Sequence, residues 1–576
     1  VTPRGSFIVD GNEYYATSLM RKKPGIYTKY AENDKPFVEI NSSRGRNMKM
    51  HLDDEGLLTL GIAGKNVKLI PLLKAIGAKD SDISKAIGKE LYDTNMLKSH
   101  LAEQEVTKAH QAMHFEKKPK NFEEGVAGIK KYLEESTEFR PEVNTITLGK
   151  PYTKLTPDAM LAAAAKLIKL TRKDIEPDDA EHMAFKTVHS FGDLLRERLE
   201  KNYKNIRAKI ARNADKGKTA QEVLGAGFLN PHIYSIFNEF PNINVGDVVN
   251  PLAMVTGFTR TTVFGPGAIN DAHAVTKENQ NVSVSQMGFL DVFHTPEKQA
   301  GLSNQITLGT FKVGDTLKKT VFDRNAKTHQ ISPVDLLNKS MVFPDQVRFE
   351  NGTFQPKEDN VLAIKGGKIQ SIPWKEADYV APAHSYFFDH ATNMIPFLNS
   401  DHGNRSYMAG KHMEQAVSLK FREDPLVKST IVPDFVSAKY TVERMLGKDF
   451  AVISEADGVV TEINRPEQYI AVTDKKGVVH KHPIYVDFPL TNGSMITHEP
   501  LVKVGDTVKK EQTLADSNFT KDGRLALGVN LNTVYMPYEG YNFEDGLVIS
   551  EDAAKKLTSM HLYEEDLEYS DDDIIS

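Results

Sequence analysis

A mixed α+β fold spread over several domains is what this sequence predicts, on three observations. The chain has 576 residues, which at roughly 150 residues per domain suggests about four domains unless some are interleaved. It is 40% hydrophobic and 26% charged, the balance of a chain that folds around large apolar cores. Short β-branched runs bounded by turn residues alternate with segments of helical period, so neither an all-helical nor an all-β architecture fits.

The elements follow in order. Phe7-Ile8-Val9 and Glu13-Tyr14-Tyr15 flank Asp10-Gly11, a pair suited to the positive φ angles of a tight primed turn, so the chain opens as a hairpin. From about Phe37 to Ser190 the reading is mixed α/β, an inserted lobe, with a helix over Asp158–Leu170 capped by Thr156 and opened by Pro157. Leu195, Leu199, Tyr203, Ile206 and Ile210 then recur at helical spacing while Arg198, Lys201, Lys204, Arg207, Lys209 and Arg212 occupy the other faces. That is an amphipathic basic helix, and a solvated face with Arg196/Glu200 and Glu197/Lys201 pairs explains it without nucleic acid. Glu239 to Leu308 is rich in Asn, Gly, Thr and Pro, with Gly265-Pro266-Gly267 as a rigid turn, and predicts exposed loops on a scaffold. Short strands are expected beyond it, including Gly458–Ile463 and Leu501–Asp506. The expected regions are therefore 1–36, 37–190, 191–240, 241–310, 311–390 and 391–576.

Composition and motif tests remove several function classes. Zero cysteines exclude disulfides, thiolate metal sites and a cysteine nucleophile. No run approaches the roughly 20 apolar residues of a membrane span, and the start lacks the apolar stretch of a secretory signal, so a cytosolic setting is expected. The net charge of -6 runs against nucleic-acid binding only as an average, because Arg196 to Lys218 is basic while the tail from His561 is acidic. Gly217-Lys218-Thr219 lacks the earlier glycine of a phosphate loop, Arg212 standing there, and Gly265-x-Gly267 lacks the third glycine of a dinucleotide fingerprint. His384, His390, His402 and His412 have no ligand spacing, so no zinc is expected. Asp474-Lys475 and Val504-Gly505-Asp506 resemble the turns of biotinyl and lipoyl carriers in the wrong order, which implies a similar barrel-sandwich fold without the prosthetic group.

Three blocks carry a family resemblance. The first is Asn250-Pro251-Leu252, Arg260, Gly265-Pro266-Gly267 and His294-Thr295-Pro296-Glu297; the second is Ile395-Pro396-Phe397-Leu398, Asp401, Asn404-Arg405, Met408 and Gln415-Ala416-Val417. The third is Leu525–Asn530 followed by Met536-Pro537-Tyr538-Glu539-Gly540-Tyr541-Asn542-Phe543-Glu544-Asp545. In order and separation they resemble the β subunit of cellular DNA-dependent RNA polymerases, and weaker likeness at Phe7 to Tyr27 extends the resemblance over nearly the whole chain. It departs at Tyr538, where the family has tryptophan, and at His294, where it has glutamate. The family's upstream segment and its later basic segment are also missing, so the resemblance implies a β subunit divided between polypeptides, as in very large bacteriophages.

The resemblance implies protrusion, lobe, fork and barrel-sandwich hybrid regions. It implies that Arg405 reaches the nucleotide triphosphate, a role suited to a planar guanidinium. Glu544 and Asp545 would stand near the second Mg²⁺, Asp545 through water, while the main Mg²⁺ site would lie on three aspartates of a β′-like partner. Gln415 would touch RNA near its growing end, and Asn250, Arg260, Gly265 and Gly267 would border the template and hybrid. The expected partners are a chain carrying the rest of β, β′-like chains, DNA template, RNA product, nucleoside triphosphates and a promoter-specificity factor, in the cytoplasm of a bacterial host or packaged in a virion. The competing reading is a non-catalytic nucleic-acid-binding scaffold derived from a polymerase subunit, against which the retained Arg405, Glu544 and Asp545 argue. The acidic run Asp571-Asp572-Asp573 reads as a solvated tail. In the same alignment Gly257 and Thr262 replace a histidine and a serine of the family's rifampicin pocket while Asp247 matches, so resistance is expected.

Overall fold

The computed structural model describes residues 2, 5–31, 33–43, 45–97, 101–113, 117–216, 219–225, 227–246, 248–269, 275, 278–296, 300–428, 430 and 440–563. Asp247, Glu297, the Gly217-Lys218 pair and the acidic run Asp571–Asp573 lie outside them. Two compact units are present, one of residues 21–187 and one of 1–20 with 188–576.

The opening hairpin forms as its sequence dictates. Phe7–Val9 pairs antiparallel with Asn12–Ala16, Val9 facing Asn12, and Asp10 and Gly11 both take positive φ, 49° and 80°.

In the unit 21–187, Gly25–Tyr30, Pro36–Asn41, Met48–Leu52, Leu58–Ile62 and Lys65–Lys68 form one antiparallel sheet in sequence order. Gly25 pairs with Asn41 and Tyr30 with Pro36, so a boundary at 36/37 would cut the sheet; the unit starts at Arg21 instead. Helices cover the sheet, among them α1 (Pro157–Thr171). Thr156 caps it by accepting from the Ala159 N–H, and Pro157 takes the first turn, where a missing N–H costs nothing. Two polar contacts, one buried and one part-buried, tie distant segments of the unit together. Asn144 Oδ1 accepts from the Ile26 N–H at 3.0 Å, and Asp178 accepts from the Thr28 N–H and hydroxyl while pairing with Lys166.

The other unit begins again with α2 (Phe191–Asp215), whose only buried residue is Leu194. The sequence pattern of a basic helix with a solvated face is thus realised over 25 residues. Next comes α3 (Pro251–Thr259), which leads directly into the strand Arg260–Thr262 and its antiparallel partner Ser303–Gln305. The Asn- and Gly-rich stretch expected as exposed loops is in good part interior: Phe289, Leu290, Asp291 and His294 are all buried. Its backbone is irregular because its polar groups are satisfied by side chains rather than by a ladder, as Asp291 does for the Phe293 and His294 N–H groups. Among the described strands between Thr310 and Val380, seven build one sheet, while Val347–Glu350 and Thr353–Pro356 pair as a separate hairpin.

Past α4 (His390–Asn393) and α5 (Gly403–Glu414), two small sheets enclose a core of Val460, Ile470, Val472, Ile484, Val502, Val508 and Leu514. Gly458–Asn464 is a strand as expected. Leu501–Asp506 is not: Asp506 accepts from the Lys503 N–H at 2.7 Å and Gly505 takes φ 96°, so the segment turns and the strand is Thr507–Val508.

Candidate nucleotide and nucleic-acid face

α5 is the element that gathers the second sequence block. Its N-terminus is capped by His402, whose ring accepts from the Asn404 N–H. Gly403, Tyr407, Gly410 and Glu414 recur on one face, and of these Gly410 and Glu414 are buried. Arg405, Met408, His412 and Gln415 fall at i, i+3, i+7 and i+10, within about 80° of one another on a wheel of 3.6 residues per turn. All four are exposed. Among the described residues the Arg405 guanidinium makes one hydrogen bond, from Nη1 to the Met408 sulfur at 3.7 Å, which leaves most of its five donors to an anion.

The buried side of α5 is held by two polar contacts. Asn250, fully buried, is the N-cap of α3: its Oδ1 accepts from the Ala253 N–H at 3.1 Å. Its Nδ2 donates to the carbonyls of Met413, Glu414 and Ala416 at 2.8, 3.0 and 2.8 Å. These carbonyls lie at and just past the end of α5, and of the three only that of Met413 also takes a backbone N–H, from Ala416. The second contact is His294, whose Nδ1 lies 2.8 Å from Asp389 and Nε2 3.2 Å from Glu414. Asp389 in turn caps α4 through the Thr392 N–H, and Asp291 accepts from the Asp389 N–H. Lys411 completes the set, 2.7 Å from Glu414.

Burial disfavours a charged imidazole, but Asp389 and Glu414 outweigh it and push His294 up to about 10. Burial would raise Asp389 and Glu414, yet His294 holds both below the usual carboxylate range, with Lys411 helping Glu414. Asp291 is raised, by burial and by Asp389 beside it.

The remaining expected residues fall into three situations. Asn250 and Gly265 are buried, so within this chain they act on any ligand only through what they position. Gly265 takes φ 153°, and a Cβ there would stand 2.9 Å from Leu19, which is why the turn needs glycine; Gly267, φ 74°, is exposed. Arg260 is half-buried, and its charge acts on Tyr407 of α5.

Glu544 and Asp545 are exposed on the loop 531–549, where Asn542 bridges the Met536 carbonyl and the Tyr538 N–H and Glu544 takes φ 54°. The loop is anchored at its base, where Glu423 receives the Asn530 N–H and side chain and pairs with Lys556. These bonds hold the Glu423 carboxyl down at about 2. Among the described residues no group of three or more carboxylates or histidines could hold a metal ion. Two neighbouring exposed carboxylates can meet a cation through water.

Sequence reasoning singled out His294 only as a departure and missed Asp291, Asp389, Glu414 and Glu423. No local spacing links these acids; only the fold does.

Replacing Asn250 tests the clasp. Asn250→Ala loses a cap worth about 1 kcal/mol and leaves buried carbonyls unsatisfied at about 1–3 kcal/mol. Asn250→Asp keeps the cap but sets a carboxylate against three carbonyls, so it is expected to destabilise at least as much. Hydrogen exchange at the end of α5 and urea unfolding read both, and wild-type behaviour of Asn250→Asp would contradict the clasp.

Comparison with known proteins agrees with this architecture. The sequence model of RNA polymerase Rpb2 domain 2 matches residues 22–189 and that of Rpb2 domain 6 matches 454–573; the first span is nearly that of the unit 21–187. Proteins named DNA-directed RNA polymerase subunit beta align along 99% of the chain. The one from Gloeobacter violaceus is 26% identical over 614 residues and the one from Synechocystis 27% over 612. The chain covers 52% and 54% of these relatives, about half the length of the curated relatives it matches. Two domain matches in the right order, on a fold that separates them as the sequence does, make this chain a member of the RNA polymerase β-subunit family.

Proposed function

We propose that this chain works as a β-type subunit of a DNA-dependent RNA polymerase, lending nucleotide- and RNA-facing side chains to an active centre completed by other chains. The observation that carries the reading is the exposed face of α5, where Arg405 and Gln415 stand on a helix fixed from behind. Arg405 would bind the triphosphate with paired charge-assisted hydrogen bonds and Gln415 the RNA near its growing end. Arg260 and the Gly265–Gly267 turn would border template and hybrid through shape and charge, with sequence supplied by base pairing. Glu544 and Asp545 would orient the waters of the Mg²⁺ that accompanies the nucleotide phosphates. The principal Mg²⁺ site would belong to a β′-like partner with three aspartates, whose chemistry is in-line attack of the RNA 3′ hydroxyl on the α-phosphate. DNA template and a promoter-specificity factor complete the proposed partners, in the cytoplasm of a bacterial host. Among the described residues no helix is long and apolar enough to cross a membrane.

In the assembled polymerase Arg405→Ala is expected to weaken nucleotide use about ten- to hundredfold, the worth of one charged hydrogen bond, while leaving DNA binding near wild type. Unchanged kcat/KM for nucleotides would favour the non-catalytic scaffold reading instead. Glu544→Gln with Asp545→Asn should raise the Mg²⁺ concentration needed for half-maximal synthesis; an identical Mg²⁺ titration counts against a metal-linked role. Rifampicin should fail to inhibit. Gly257 offers no packing face, and the Thr262 hydroxyl, on a residue 9% exposed, already accepts from the Phe264 N–H at 3.1 Å. Inhibition at the concentrations that stop a sensitive bacterial polymerase would overturn this.

A further inference from the structure

We propose that His294 is a positioning residue whose imidazolium joins the cap of α4 to the last turn of α5 and thereby sets the helix that carries Arg405 and Gln415. The proposal rests on the nucleotide reading of α5 only for its consequence, not for the lock itself.

The geometry carries it. Backbone bonds from Phe293 and His294 to Asp291 fix the segment that presents the ring, and Asp291 also receives the Asp389 N–H, so donor and acceptor share one anchor. The ring then spans two elements: Nδ1 reaches Asp389 at the start of α4 and Nε2 reaches Glu414 at the end of α5. Its neighbour Phe293 lies against Gly403 at the other end of α5. One short segment therefore braces both ends of the helix, on the face opposite Arg405.

The charge arrangement explains why the bridge needs a cation. His294 faces Asp389 and Asp291 from the α4 side, and Glu414, Lys411 and the Tyr407 ring from α5, with Arg260 acting on Tyr407. His390 lies next to Asp389 and is lowered by burial. Without the imidazolium the buried Asp389 loses its ion-pair partner and faces Glu414, which keeps only Lys411, so α4 and α5 lose the attraction that holds this separation. Because the folded pKa of His294 lies above the ordinary value of 6.5, its stabilisation is complete below about 6.5 and is lost only as pH rises through about 10. Near neutral pH the lock is closed.

The test uses the full chain and the assembled polymerase, with His294→Gln and the double variant His294→Gln/Glu414→Gln. In the full chain, His294→Gln is expected to speed hydrogen exchange in α4 and α5 while the strands of 25–68 keep their protection. In the polymerase it should raise the nucleotide KM about tenfold with a smaller change in kcat. The double variant removes the Glu414 charge along with the cation, so Asp389 no longer faces a second buried carboxylate and part of the lost affinity should return. A general loss of stability would move exchange everywhere and would not be rescued, which overturns the proposal, as does His294→Gln with wild-type exchange in α5. Faster exchange in α5 with unchanged KM supports the lock and removes Arg405 from nucleotide binding, so the two readings fail separately.

Discussion

A helix that ends inside a protein leaves carbonyls with no partner of its own making, and here α5 ends against the Asn250 amide. Nδ2 carries two hydrogens and serves three carbonyls, while Oδ1 of the same side chain closes the start of α3. One fully buried side chain thus ends one helix and begins another. What the exposed face of α5 presents, and the angle at which it presents it, depends on this joint.

The second support is ionic, and its character follows from burial. A surface pair would add little. The His294, Asp389 and Glu414 set is held away from water, where a single unbalanced charge costs several kcal/mol and a balanced set is fixed in geometry. Replacing one member requires the others to change. The presence of histidine here, where the family pattern has glutamate, is therefore tied to the acids around it rather than to any ligand.

Local rules carried the sequence reading where structure is local. The Asp10-Gly11 turn, the Thr156-Pro157 helix start and the basic α2 all rest on residues within a few positions of one another. The start of the 21–187 unit was not legible, since the pairing of Gly25–Tyr30 with Pro36–Asn41 joins segments that composition separates. Leu501–Asp506 has the alternation of a strand, and a single Asp506 bond to the Lys503 N–H turns it instead. Motif likeness drew attention to Asn250 and Arg405 alike, but not that one is buried and the other exposed. Burial depends on partners such as Glu414, more than a hundred positions away in the chain.

The central claim is that this chain functions within a polymerase whose metal-bearing subunit is another polypeptide. Affinity purification of the tagged chain from its native source, with mass spectrometry and a template-directed synthesis assay on the eluate, tests it most directly. A copurifying β′-like chain with a three-aspartate motif is expected, together with RNA synthesis that requires added template. An eluate that lacks any such chain and incorporates no nucleotide would contradict it.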